Sequence, residues 1–185
     1  MKEPRMITAP LSEETVKSLS AGDMVLLSGV IYTARDAAHK RMMEAMDRGE
    51  ELPFPLAGAV IYYAGPTPTP PGKVIGSVGP TTSGRMDVYT PRLIEAGLRG
   101  MIGKGTRSRE VVEACANHGA VYLAAIGGAG ALTSKSVAAF EVIAWEDLGP
   151  EAVRRLTVEE MPLMVINDAR GRDLYQEGRR KYQVG

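Results

Sequence analysis

A polar segment at the end of an apolar run is the first place where this chain could bind an anion. Residues Asp23–Tyr32 predict a buried strand and Ala34–Arg48 predict a helix, so Arg35 and Asp36 lie where the strand gives way to the helix. Backbone N–H groups at a helix start lack intrahelical partners, and the planar guanidinium of Arg35 suits a carboxylate. The segment is equally compatible with an ordinary helix start, with Thr33 as the cap and the charged side chains in solvent.

A second candidate is the loop Gly79–Met86, which follows a short apolar run and continues neither a strand nor a helix pattern. It places three adjacent hydroxyls, those of Thr81, Thr82 and Ser83, between glycines and just ahead of Arg85. Turns of this kind form anion-binding concavities from their backbone N–H groups. Glycine, proline, serine and threonine are also ordinary loop residues, so a simple surface loop is the competing interpretation.

A third candidate is Gly103–Thr106, which comes directly after the predicted strand Gly100–Gly103. Lys104 lies between two glycines, which leave its ammonium open to close contact with a ligand. The segment is not a P-loop, because position 98 is Leu and Gly105 follows the lysine. Gly127–Gly130 also lacks the spacing of a dinucleotide-binding loop, and either a tight strand-to-helix turn or the wall of a site would explain it.

Together, these segments predict three cations, Arg35, Arg85 and Lys104, at the ends of neighbouring strands. A small dianion such as a dicarboxylic acid fits such a cluster, because each carboxylate accepts charge-assisted hydrogen bonds. The residues by themselves leave the reaction class unassigned.

The elements that must position these segments are mostly alternating strands and helices. The predicted strands cover residues 23–32, 57–63, 74–78, 100–103, 120–125, 140–145 and 162–167. The predicted helices cover residues 12–20, 34–48, 91–96, 107–117, 133–139 and 172–182. This order predicts an α/β fold, with a single domain over residues 1–185 that has a mixed, layered sheet with helices on one side.

Composition excludes several classes of function. The 185 residues include 22 Lys plus Arg and 22 Asp plus Glu, so the net charge is zero and no global field favours nucleic acid or an anionic membrane. No apolar run approaches the roughly 20 residues of a membrane span. The first residues lack the apolar core of a signal peptide, so we expect a cytoplasmic protein.

Metal chemistry would need ligands from outside the chain. Cys115 is the single cysteine, and we expect it to be a small buried residue of a helix rather than a nucleophile. The two histidines, His39 and His118, are too few for a zinc site by themselves. The chain alone is therefore not expected to hold a demanding metal.

Five longer stretches that include these segments resemble one known family. They are SGVIYTARDAAHKRM (28–42), IGSVGPTTSGRMD (75–87), GLRGMIGKG (97–105), GAVYLAAIGGAGAL (119–132) and EVIAWEDLGPEAVRRL (141–156). In this order they are similar to the β subunit, or C-terminal domain, of class I fumarases and L-tartrate dehydratases. The resemblance implies a swivelling β/β/α domain with mixed sheet layers.

The resemblance also implies an enzyme built from two kinds of subunit, as a hetero-oligomer. A partner α subunit would bind a [4Fe–4S] cluster through its own cysteines, and the complex would reversibly remove water from a 2-hydroxy dicarboxylate. By motif, the three cations would bind substrate carboxylates and Thr81 would be the base that takes the C3 proton. His39, Asp36 and Thr82 would support this site.

The resemblance leaves more than one function open. Reversible hydration of fumarate to malate is the leading expectation. Dehydration of L-tartrate is an alternative of the same class, because both substrates are C4 dicarboxylates. A non-catalytic dicarboxylate-binding or regulatory module that kept the pocket is an alternative of another class.

Overall fold

Seven strands and six α-helices make up the computed structural model, which describes residues 3–125 and 130–182, except for the side chains of 130–132 and 182. The strands are β1 (Arg5–Ala9), β2 (Met24–Thr33), β3 (Val60–Tyr62), β4 (Gly100–Gly103), β5 (Val121–Ala125), β6 (Val137–Ala144) and β7 (Val153–Asn167). The helices are α1 (Glu13–Ser18), α2 (Asp36–Asp47), α3 (Thr90–Glu95), α4 (Arg109–His118), α5 (Gly130–Lys135) and α6 (Leu174–Tyr182). Two 3₁₀ segments cover Ser83–Met86 and Glu146–Glu151.

One mixed sheet contains these strands in the order β1-β2-β3-β4-β5-β7-β6. Strands β1 to β5 run parallel to one another. The long strand β7 is antiparallel to β2, β5 and β6. Because β7 pairs with both β2 and β5, the strands β2, β3, β4, β5 and β7 close into a ring, and β1 and β6 extend it at its edges.

Side chains of successive strand residues face opposite sides of the sheet, so the core consists of two clusters. Val60 and Tyr62 belong to a cluster formed by alternate residues of the five ring strands, inside the ring. Ile61 and Tyr63 belong to a second cluster, in which the outer face of the ring packs against α2, α3 and α4. Both faces of β3 are therefore buried, which explains the nearly unbroken apolar run in this part of the sequence.

Helices α1 and α4 begin at serine caps, whereas α2 does not. The Ser12 and Ser108 hydroxyls accept hydrogen bonds from backbone N–H groups in the first turns of α1 and α4. The cap residue of α2 is Arg35, whose side chain makes no capping bond. Thr33 is the buried last residue of β2, so the interpretation of Thr33 as the cap is wrong. The first turn of α2 must find an acceptor elsewhere.

The predicted mixed α/β fold is confirmed, with a change in its shape. Helices α2, α3 and α4 lie on the outer face of the sheet, but α1 contributes Val16 to the inner cluster. The strand predicted at 162–167 begins at Val153 and is 15 residues long. Residues 162–167 pair with both β5 and the start of β2, which closes the expected open layers into a ring, and the extra length pairs with β6 and with the rest of β2.

The strand predicted at 74–78 is wrong. Ile75 and Val78 are buried, but the chain around them forms a loop rather than a strand. Thr67 N–H donates to the Ser77 carbonyl (3.0 Å), and Ser77 N–H donates to the Thr67 hydroxyl (2.9 Å). Gly76 passes so close to Thr67 that a Cβ there would lie 2.2 Å from the Thr67 carbonyl oxygen. These polar groups are therefore satisfied within the loop instead of on a neighbouring strand.

The other differences between the predicted and the observed elements concern segments with weak helix or strand patterns. The helix predicted at 133–139 is α5, which ends at Lys135, and most of its second half belongs to β6. Strand β1 was not predicted. Residues 127–129 of the glycine cluster lie outside the described part of the chain. Among the described residues, no helix is both long and apolar enough to cross a membrane.

Candidate functional site

The carboxyl ends of three parallel strands meet at one edge of the sheet. Strands β2, β3 and β4 are neighbours and end at Thr33, Tyr62 and Gly103. The segments of Arg35 and Lys104 follow β2 and β4 directly, and the loop Gly79–Met86 returns to the end of β3, so all three lie at one edge. This edge is where ligands commonly bind in α/β proteins with parallel strands.

Backbone bonds and close packing join the segments there. Thr81 N–H donates to the Tyr63 carbonyl (2.6 Å), and Lys104 N–H donates to the Thr81 carbonyl (3.3 Å). Arg35 Nη1 lies 3.1 Å from the position that a Cβ would take on Gly65, in the segment that follows β3. Thr81 is half-buried between these segments.

Arg85 is paired with a carboxylate of the chain itself. Its Nε donates to Asp36 Oδ1 (2.9 Å), which ties the 3₁₀ segment Ser83–Met86 to the first turn of α2. About half of the Arg85 side chain is exposed, whereas that of Asp36 is 30% exposed. Asp36 Oδ2 is buried and has no partner among the described residues. Arg85 is therefore already paired with a carboxylate of the chain.

Arg35 is also paired, and its partner was not predicted. Arg35 Nη2 lies 3.4 Å from Glu151 Oε1, and Glu151 Oε2 accepts a hydrogen bond from Ala37 N–H (2.8 Å). A carboxylate thus occupies the helix start and pairs with one arm of the guanidinium that was predicted to bind an anion. Nothing near Arg35 in the sequence points to Glu151, because the two residues approach only in the folded chain.

Ser83 is a structural residue of the loop, and Gly103 makes room for it. Ser83 lies wholly inside the protein, and its Oγ is 2.9 Å from Tyr122 Oη, which donates to the Gly105 carbonyl (2.9 Å). A Cβ on Gly103 would lie 1.9 Å from Ser83 Oγ. Of the three adjacent hydroxyls, Thr81 is half-buried and Thr82 is exposed, so these two remain open to a ligand.

Lys104 is exposed, and its backbone is fixed. Thr82 and Lys104 form a parallel bridge, and Ser83 N–H donates to the Lys104 carbonyl (2.9 Å). No described residue accepts a hydrogen bond from the Lys104 ammonium or pairs with it. Of the three predicted cations, Lys104 alone lacks a described carboxylate partner.

A buried arginine that sequence reasoning missed connects the two loops of the site. Arg107 Nε donates to Asp87 Oδ1 (2.7 Å), and Nη2 donates to the Thr90 hydroxyl (2.9 Å). The guanidinium carbon lies 5.2 Å and 4.8 Å from the ring centroids of Tyr63 and Tyr122. The Arg107 side chain is 0% exposed, so this pair links the loop of Thr81 and Arg85 to the loop of Lys104 from beneath.

His39 supports the turn that carries Arg35. Its Nδ1 lies 2.8 Å from the Arg35 carbonyl, which can only accept, so the proton is on Nδ1 in the neutral ring. Burial lowers the pKa of His39 from 6.5 to about 4, against the hydrogen bond to Arg35. His39 is therefore neutral near pH 7, and its buried Nε2 has no partner among the described residues.

The described residues contain no set of side chains that could ligate a metal ion. No group of three or more His, Cys, Asp or Glu in the described part of the chain could hold a metal ion. Cys115 is wholly buried, as predicted, and burial raises the pKa of its thiol from 9.0 to about 12. A buried thiol of this kind is neither a ready nucleophile nor a ready iron ligand. The described residues therefore do not fit an iron–sulfur cluster.

The described site is one edge of a closed, mixed α/β sheet, where the three polar segments meet. It presents guanidinium, ammonium and hydroxyl groups, which suit the carboxylates of a small acid. The chain matches the family described as Fumarase C-terminus over residues 4–178, and it belongs to that family.

Curated relatives carry names of two kinds. The chain is 41% identical to the aerobic class I fumarate hydratase of Escherichia coli K12 over 96% of the chain, and 42% identical to fumarate hydratase 2 of Leishmania major over 84%. These matches cover 31% and 28% of those proteins, so the chain spans about three-tenths of their length. It is also 40% identical, over 92% of the chain and 91% of the relative, to a Methanocaldococcus jannaschii protein provisionally named L(+)-tartrate dehydratase subunit beta.

Replacing Arg107 by Met should destabilise the chain by about 3–5 kcal/mol, because Asp87 would be left with an uncompensated buried charge. Urea unfolding of the purified chain measures this loss. Arg109→Met is the matched control, since Arg109 pairs with Glu113 on the exposed face of α4 and its loss should leave the unfolding midpoint unchanged. Equal midpoints for Arg107→Met and the wild type would contradict the role of the buried pair.

His39 should make the chain less stable as the pH falls from about 6.5 to about 4. In that range the unfolded histidine binds a proton and the folded one does not, so protons favour the unfolded state. The lowered pKa corresponds to about 3 kcal/mol. Urea unfolding across this range should show a loss of that size relative to His39→Gln. The exposed His118→Gln should behave like the wild type, and parallel curves for wild type and His39→Gln would contradict the assignment.

Proposed function

We propose that this chain is the β-subunit-like half of a hydro-lyase that interconverts fumarate and malate. The observation that carries the proposal is that the segments of Arg35, Thr81 and Lys104 meet at one strand edge. The Lys104–Thr81 backbone bond and the Arg85–Asp36 ion pair join them there. Two guanidinium groups and an ammonium suit the two carboxylates of a C4 acid. The fumarate hydratase names of the relatives support the same substrate class.

Dehydration of L-tartrate is the second candidate. The relative that carries the tartrate dehydratase name is as similar as the fumarate hydratases, and the match covers 91% of it. Fumarate, malate and tartrate present the same two carboxylates, so the cations described here would bind all of them.

A partner that holds an iron–sulfur cluster belongs to the proposal. The described residues do not fit such a cluster, because Cys115 is buried and they form no group of three or more His, Cys, Asp or Glu that could hold a metal ion. The cluster would be ligated by a separate α subunit, and the two chains would form a hetero-oligomer. The beta-subunit name of the Methanocaldococcus relative supports this arrangement.

In the proposed reaction this chain binds the acid and moves one proton. The cations hold the carboxylates, and Thr81 Oγ, in its deprotonated form, takes the C3 proton of malate. The C3–H electrons form the C2–C3 double bond as the C2 hydroxyl leaves, a departure that the Lewis-acid chemistry of the partner's cluster would assist. A threonine hydroxyl is a weak base, so it needs nearby positive charge to stabilise its deprotonated form. Lys104, whose backbone N–H bonds to the Thr81 carbonyl and whose ammonium is unpaired among described residues, supplies that charge.

The proposal is tested by turnover of the complex with its cluster-bearing partner, prepared without oxygen, on fumarate, malate and tartrate. Lys104→Ala should lower kcat/KM roughly 10- to 150-fold, because one charge-assisted contact of about 1.5–3 kcal/mol is lost. Lys40→Ala removes another exposed lysine, on α2, and should have little effect. A complex that turns over none of these acids would overturn the proposed enzyme, and binding without turnover would favour a regulatory module.

Thr81→Val should lower kcat by about 10²–10⁴-fold, because it keeps the branched shape and removes only the proton acceptor. KM should change much less, since the cations still bind the carboxylates. The measurement is exchange of solvent hydrogen isotope into C3 of malate. Thr157→Val, at an exposed threonine of β7, is the control and should exchange normally.

The same exchange measurement can reassign the base. Exchange at the wild-type rate in Thr81→Val would exclude Thr81. If Thr82→Val stopped exchange instead, the exposed neighbouring hydroxyl would be the base. Ser83 is the weaker alternative, because its hydroxyl is buried against Tyr122.

A further inference from the structure

Glu151 occupies a position that the proposed reaction does not explain. Its two carboxylate oxygens contact different groups: Oε2 accepts from Ala37 N–H at 2.8 Å, and Oε1 lies 3.4 Å from Arg35 Nη2. Helix α2 has no side-chain cap of its own, so Glu151 caps it from a segment 114 residues away in the sequence. A single carboxylate therefore caps the start of α2 and also forms an ion pair with one arm of the Arg35 guanidinium.

The turn that carries Glu151 is itself tightly held. Arg154 donates hydrogen bonds to the carbonyls of Gly149, Pro150 and Ala152, at 2.9, 3.0 and 3.0 Å. Elsewhere in the same turn, Asp147 accepts a hydrogen bond from Arg41 Nη1 (2.8 Å). The Arg154 bonds hold the turn against the start of β7, and the Arg41–Asp147 pair joins it to α2. A carboxylate on so rigid a support is suited to orienting its partner rather than to moving in and out of the site.

The second arm of the Arg35 guanidinium is left for a ligand. Nη1 lies beside Gly65 at the carboxyl edge of the sheet and has no acceptor among the described residues. The ion pair between Nη2 and Glu151, at 3.4 Å, favours one orientation of the guanidinium and so one direction of Nη1. A bound carboxylate would then meet an oriented donor, which lowers the entropic cost of binding.

We propose that Glu151 is a positioning residue, which acts through Arg35 to present Nη1 to a substrate carboxylate. This inference rests on the proposed function, since it assigns Arg35 to substrate binding. Glu151 itself does not contact the substrate in this arrangement. The alternatives are that Glu151 is only a helix cap, or that it competes with the substrate for Arg35.

Glu151→Gln separates these roles in the complex with the cluster-bearing partner. The glutamine oxygen can still accept from Ala37 N–H, but its amide N–H groups face the guanidinium and cannot hold it. KM for fumarate should rise about 5- to 50-fold, while kcat changes less than about threefold. Asp147→Asn weakens the other contact between this turn and α2, and should leave KM unchanged.

A double-mutant cycle shows whether the effect passes through Arg35. In an Arg35→Ala background, adding Glu151→Gln should change kcat/KM less than about twofold, because the group that Glu151 positions is already gone. Additive losses would mean that Glu151 acts independently, and would overturn the inference. An unchanged KM in Glu151→Gln would leave only the capping role, and a lowered KM would identify Glu151 as a competitor.

A measurement on the chain without its partner keeps the inference separate from the proposed function. With ¹⁵N-labelled arginine, the two Nη signals of Arg35, assigned by their loss in Arg35→Ala, should be resolved in the wild type and merged in Glu151→Gln. If the complex turns over no C4 acid but these signals behave as expected, the proposed function fails and the Glu151–Arg35 constraint stands. Merged signals in the wild type, or identical spectra in both, would overturn the inference.

Discussion

The buried ion pair between Arg107 and Asp87 is the interaction on which the geometry of the strand edge depends. A charge removed from water costs several kcal/mol unless it is paired and hydrogen-bonded. Asp87 meets this condition through Arg107 Nε and Ser108 N–H, and Arg107 also donates to Thr90 between two tyrosine rings. The loop that ends at Asp87 and the loop that ends at Arg107 cannot separate without uncovering these charges, so Thr81 and Lys104 stay in register.

The sheet provides the fixed frame for this pair. Tyr63 and Tyr122, which enclose Arg107, lie at the end of β3 and within β5, and both are wholly buried. Strand β7 closes the ring on β2 and β5, so these strands cannot shift independently. The strands hold the buried ion pair in place, and the ion pair holds the short loops at the edge. This arrangement holds functional side chains more closely than a loop alone would.

Strands, helices and loops that depend on neighbouring residues were predicted from the sequence. Contacts between residues far apart in the sequence were not. The strand Gly100–Gly103 and the segments around Arg35, Thr81 and Lys104 were found because each depends on neighbouring residues. The partners of Arg35 and Arg107 were missed, since nothing in a sequence window joins Glu151 to Ala37 across 114 positions. The first part of β7 was missed because its exposed residues are charged or polar, as in Arg155 and Thr157, although alternate residues such as Leu156 and Val158 are buried.

Charge balance at the edge connects the site to the proposed partner. Arg35, Arg85 and Lys104 bring three positive charges, and Glu151 and Asp36 bring two negative ones within contact of the arginines. The edge therefore carries a net charge of about one, whereas a C4 dicarboxylate carries two negative charges at neutral pH. A cluster of three free cations would bind such a dianion unaided, but the paired cations present here would leave part of its charge unbalanced. Under the proposed function, the rest of the positive charge would have to come from outside the described residues, which fits a substrate site that the partner subunit completes.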